Sequence, residues 1–177
     1  MILNQNDTVL LVIDIQEKLL NAVFNKELLE KKSAIISSAC SVLNIPVIVT
    51  EQYPKGLGET VGDLKHEAKV FEKIAFSALE NEEVLNAIKN TNCRNVMVMG
   101  IETHICVHQT VSSLIEAGFD VTVIKDACGS RFEEEYLSAL DVMKNNGARI
   151  KTTEMILFEL LKSAKHEKFK EIQALIK

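Results

Sequence analysis

Residues 95–127 read NVMVMGIETHICVHQTVSSLIEAGFDVTVIKDA, and two periodicities succeed one another inside them. NVMVMG (95–100) is apolar at successive positions, the pattern of a strand covered on both faces. IETH makes a tight connection, and a helical pattern then begins near Ile105 and runs to Gly118, a residue suited to the position just past a helix end. DVTVIKDA (120–127) is a second apolar, β-branched run. Strand, helix and strand in this order form a crossover unit, whose two strands run parallel.

The same alternation extends in both directions. Upstream, TVLLVIDI (8–15) is a strand apolar on both parities. NKELLEKKSAIISSACSVLN (25–44) is an amphipathic helix that stops before Pro46, and PVIVT (46–50) is the next strand. Residues 51–68 carry Pro54, Gly56, Gly58 and Gly62 without a strong period, so they read as a long, functional loop. KVFEK (69–73) is a short strand and LENEEVLNAIKN (79–90) a helix. Downstream, RFEEEYLSALDVMKNN (131–146) is a helix ended by Gly147, ARIKTT (148–153) a last short strand, and two helical stretches finish the chain. The expectation is a three-layer α/β/α domain around a mostly parallel sheet.

The chain has 177 residues, 47% of them hydrophobic and 25% charged, which fits a single domain over 1–177 and argues against disorder. Twenty Lys and Arg against 25 Asp and Glu leave a net charge of −5, which provides no general field for nucleic acid. Apolar runs are strand-sized and no signal-peptide pattern precedes the first of them, so no membrane association and a cytoplasmic location are expected. Cysteines 40, 93, 106 and 128 show neither C-x-x-C spacing nor a zinc-ligand pattern. No P-loop or G-x-G-x-x-G opens a helix after a strand, so no nucleotide cofactor is expected.

In parallel sheets, ligands bind beyond the carboxyl ends of the strands. Asp14, Glu51, Lys73 and the segment after Gly100 stand there. Asp14 ends a strongly apolar strand, where a carboxylate has to be paired, hydrogen-bonded or placed in a cleft; a plain loop anchor or helix cap is the alternative. Cys106 falls near a helix start, where free amides and the helix dipole favour a thiolate and could hold an oxyanion; the alternative is a buried structural thiol, as for Cys40. Lys73 is an ordinary solvated lysine unless the fold brings it to the other two. His104 and His108 flank Cys106, but at spacings that turn them elsewhere.

Three segments together, LLVIDIQEKLL (10–20), EKIAFSAL (72–79) and VMGIETHICVHQTVSSLIEAGFDVTVIKDACGSR (98–131), resemble the isochorismatase-like cysteine hydrolases. The TEQYPKGLGETVGDL loop (50–64) is similar to the branch of the isochorismatase-domain-containing proteins. The resemblance covers about residues 7–160. It implies a six-stranded sheet of Rossmann-like form and a triad of Asp14 as base, Lys73 and the nucleophile Cys106. It also implies a non-proline cis peptide between Ile101 and Glu102, with the amides of Glu102 and Cys106 as oxyanion hole.

The resemblance further implies homo-oligomers, dimers or larger. Nicotinamidases of the superfamily carry an Asp/His metal cluster after the second strand. Here that stretch offers Glu51 and no histidine before His66, so a metal-independent enzyme is expected. Cysteine chemistry points to a small amide or related acyl compound rather than a vinyl ether. Gln16, Phe24, Tyr53 and Phe76 are candidates for substrate contact. Two other classes remain: an inactive or regulatory member that binds a metabolite or protein through the same pocket, and a thiol-based redox sensor, which would lack a resolving cysteine nearby in sequence.

Overall fold

The computed structural model describes residues 2–65 and 68–177; His66, considered above, lies outside them. Six strands form one sheet: β1 (Thr8–Ile13), β2 (Val47–Gln52), β3 (Lys69–Lys73), β4 (Asn95–Ile101), β5 (Asp120–Gly129) and β6 (Arg149–Lys151). Their order is β3-β2-β1-β4-β5-β6, and every pairing is parallel. The helices are α1 (Glu17–Leu20), α2 (Lys26–Val42), α3 (Pro54–Leu57), α4 (Glu82–Asn90), α5 (His108–Glu116), α6 (Glu133–Asn145), α7 (Thr153–Leu161) and α8 (Phe169–Leu175).

Strand parity divides the core into two layers. Leu10, Val12, Met97, Met99 and Ile124 face α2, α7 and α8, through Leu29, Ile36, Ile156, Leu160 and Ile172. Val9, Leu11, Ile13, Val96, Val98 and Val123 face α4, α5 and α6, through Val84, Ile88, Val111, Leu114 and Met143. Each such side chain contributes about 1.5–3 kcal/mol of burial free energy, so β1 and β4, apolar on both parities, form the stable centre of the sheet. Among the described residues no helix is long and apolar enough to cross a membrane.

Several boundaries differ from the sequence reading, and the differences lie at strand exits. β1 ends at Ile13 rather than at residue 15, because Asp14 turns to a left-handed conformation with φ of 52°. β2 runs on to Gln52, and β5 continues to Gly129. The predicted loop 51–68 contains α3 and a short turn at Gly62–Lys65. Ala78–Glu80 forms its own turn, so α4 starts only after Asn81, whose side chain accepts from the Glu83 amide.

One glycine governs how closely the central strands approach. Gly100 has φ of 152°, and a Cβ there would stand 2.2 Å from the Ile13 carbonyl oxygen. Only glycine lets β4 lie this close to the end of β1. Asp14 follows Ile13, and the segment bearing Cys106 follows Gly100.

Candidate active site

Four adjacent strand ends supply the site. Asp14 follows β1, Thr50 and Gln52 close β2, Lys73 closes β3, and Cys106 lies in a wide π-type turn, Thr103–Val107, that leads from β4 into α5. Lys73 has to reach across β2 to find Asp14, a span that its four methylenes allow. Its Nζ lies 2.6 Å from Asp14 Oδ2, and both side chains are almost completely buried. The ammonium also donates to Gln52 Oε1 at 2.6 Å and to the carbonyls of Phe76 at 3.1 Å and Ala75 at 3.2 Å. Asp14 Oδ1 accepts from Thr50 Oγ1 at 2.8 Å. The Cys106 thiol, itself buried, feels the charges of both Asp14 and Lys73.

The electrostatics of the sulfur correct one expectation. Lys73 pulls the thiol pKa down, but burial and the neighbouring Asp14 outweigh it, and the thiol is pushed up to about 12. The resting sulfur is therefore a protonated thiol beside Asp14, not a standing thiolate. Burial also raises Asp14, against the opposing pull of Lys73 and of the hydrogen bonds from Lys73, Thr50 and Cys106. A raised carboxylate next to a thiol is a better proton acceptor than an exposed one.

The turn that carries Cys106 begins with a cis peptide between Ile101 and Glu102. The Glu102 carbonyl accepts from the amides of Ile105 and Val107 at 3.0 and 3.2 Å, and its carboxylate pairs with Arg131 Nε at 2.9 Å. His104 turns to Ser130 Oγ, 3.0 Å from its Nδ1, and His108 opens α5.

The proposed contact residues fall into two groups. Gln16 is fully buried, and its amide is committed to backbone: Nε2 donates to the carbonyls of Gly58 and Gln52, and Oε1 accepts from the Gln52 amide. It braces the loop rather than facing an opening. Phe24, Tyr53 and Phe76 are each about half exposed. Phe24 packs edge-on against Tyr136, with ring centroids 5.6 Å apart. Tyr53 lines a cavity of about 560 Å³ with Lys73, Ile74 and Ala75, and neither Asp14 nor Cys106 borders that cavity. Glu51 is occupied by the amide and hydroxyl of Thr60, at 2.7 and 2.8 Å. Among the described residues no group of three His, Cys, Asp or Glu side chains could hold a metal ion.

Thr50 and Gln52 escape the sequence reading. The available signal is parity: once β2 is extended to Gln52, both residues share the strand face that meets the ends of β1 and β3.

The isochorismatase domain model matches residues 8–155. The chain belongs to the isochorismatase family. Isochorismatase family protein 1A of Dictyostelium discoideum is 41% identical to it, over 96% of this chain and 86% of that one. Among solved structures, the MAR1 ribonuclease of Caenorhabditis elegans superposes with a TM-score of 0.91 at 37% identity, covering 99% of this chain and 92% of that one. The YcaC gene product of Escherichia coli, described as an octameric hydrolase of unknown specificity, superposes with a TM-score of 0.95 at 28% identity, covering 99% and 89%. The six-stranded α/β/α architecture is thus that of isochorismatase-family hydrolases.

Proposed function

We propose that this isochorismatase-family chain is a metal-independent cysteine hydrolase of small amides or related acyl compounds. The observation that carries the reading is the 2.6 Å Lys73–Asp14 contact, with the buried Cys106 thiol in the field of both partners. Asp14 takes the thiol proton as the sulfur attacks the substrate carbonyl, and Lys73 stabilises the forming thiolate. The amides of Glu102 and Cys106 receive the oxyanion. Asp14 returns the proton to the departing nitrogen, leaving a thioester. Asp14 then draws a proton from water as the water attacks the thioester, and passes that proton to the departing Cys106 sulfur, which releases the acid and restores the thiol.

Holding the thiol protonated until a carbonyl arrives makes the proton transfer part of the chemical step, which suits an Asp with a raised pKa. Tyr53 lines a cavity that reaches Lys73 of the triad, and Gln16 supports the loop behind it. RNA is the second substrate class to assay, because a structural relative is named as a ribonuclease. The net charge of −5 favours small acyl compounds over it. Self-association is part of the proposal, supported by the octameric E. coli relative.

A panel of amides, ureides, esters and RNA offered to the wild type and to Cys106→Ala tests the reading. Turnover of an acyl compound by the wild type, lost in Cys106→Ala, is expected; turnover that survives the substitution would remove Cys106 as nucleophile. Sedimentation of the same preparation checks the assembly, and a lone 19.8 kDa species would refute it.

A further inference from the structure

Behind the triad, the buried Gln16 and the half-buried Gln52 form a chain of amide contacts that the proposed chemistry leaves without a role. An ammonium has three N–H donors. Lys73 directs its shortest bonds to Asp14 and to Gln52 Oε1, both at 2.6 Å, with the carbonyls of Ala75 and Phe76 farther off. The Gln52 amide cannot turn over without loss, because its Nε2 donates to the Ile74 carbonyl at 2.6 Å. Its backbone is gripped as well: Gln16 accepts from the Gln52 amide at 2.7 Å and donates to the Gln52 carbonyl at 3.0 Å. Gln16 also donates to the Gly58 carbonyl at 2.6 Å.

We infer that Gln52 is a positioning residue, whose side-chain amide holds the Lys73 ammonium at the distance from Asp14 and Cys106 that the triad needs, while Gln16 fixes Gln52 to the 53–60 loop. The inference rests on the triad reading above. Without the Gln52 oxygen, Lys73 keeps its charge but loses one of its two short anchors, and the ammonium gains room to swing toward the carbonyls of residues 75 and 76. The thiolate that forms at Cys106 then loses part of the cationic support that Lys73 gives it. Partners that orient a functional group in this manner typically matter by roughly ten- to a hundredfold.

The test is the rate of Cys106 alkylation by iodoacetamide as a function of pH, read by peptide mass mapping with Cys40 as internal control. The variants are Gln52→Met, Gln52→Glu and Lys73→Met. Gln52→Met preserves volume and removes both hydrogen bonds; it is expected to slow Cys106 alkylation by roughly tenfold at neutral pH, in step with a tenfold smaller thiolate fraction. Gln52→Glu keeps an acceptor but sets a second carboxylate on the ammonium, and its profile is expected to move to higher pH. A residue that only filled space would move neither. Profiles of both Gln52 variants that superpose on the wild type, with that of Lys73→Met displaced, would overturn the inference and leave the triad standing. An undisplaced Lys73→Met profile would overturn both. Should Gln52→Met unfold, seen as Cys40 labelling far faster than in the wild type, Gln52→Glu alone decides the matter.

Discussion

At Cys106 two opposing fields meet, and their signs are separable. Burial and Asp14 raise the thiol pKa, and Lys73 lowers it. Asp14→Asn removes the negative neighbour and releases Lys73 from its ion pair, so the thiol pKa should fall. Cys106 should then alkylate roughly tenfold faster than in the wild type at neutral pH, as a tenfold larger thiolate fraction would give. The same variant should have no turnover, because the proton acceptor is gone. Faster labelling with lost activity is the signature of an acid–base role; slower labelling would mean that Asp14 stabilises the thiolate by some other route. Thr50, which donates to Asp14 Oδ1, should moderate both effects without abolishing either.

Among the elements, β1 and β4 set the geometry of the site. Gly100→Ala would force a Cβ to within 2.2 Å of a backbone oxygen and 2.7 Å of the Ile13 Cβ. Neither contact belongs to a flexible side-chain tip, so the strands have to part. A loss of about 3 kcal/mol is expected, since overpacking of this kind destabilises by 1–3 kcal/mol or more. In a chain of this size that is a fall in Tm of roughly 6–12 °C by calorimetry. An unchanged Tm would show that the strand ends can yield.

The crossover pattern in 95–127 and the two-parity strands are legible in the sequence because burial on both faces leaves an uninterrupted apolar run. Asp14, Lys73 and the Cys106 turn are legible as strand exits. Their meeting is not, since it depends on β3-β2-β1-β4 order, which no local period encodes. Nor is the balance at the sulfur, which depends on how deeply the turn is buried. The partners of Gln16 are illegible for the same reason: the backbone groups it holds lie across the loop, 36 and 42 residues away in sequence.

For the whole molecule, the thiols shape the response to alkali. Cys40, Cys106 and Cys128 are each pushed from 9.0 up to about 12, chiefly by burial. Above about pH 9 the unfolded chain loses these protons while the folded chain keeps them. The unfolded state therefore binds fewer protons, and stability falls as pH rises from about 9 toward 12. Each thiol contributes a slope of up to about 1.4 kcal/mol per pH unit. Denaturant titrations at about pH 8 and about pH 10 should show the loss, and Cys40→Ala, compared with its own value at the lower pH, should show a shallower one. Equal slopes would place the alkaline loss elsewhere.

The protonated, enclosed sulfur has a consequence for how such a protein fares among reactive small molecules. Peroxides and adventitious electrophiles consume ionised sulfur, so a nucleophile kept neutral between turnovers is a poor target for them. Profiling reagents that rank cysteines by intrinsic reactivity at neutral pH would place Cys106 low.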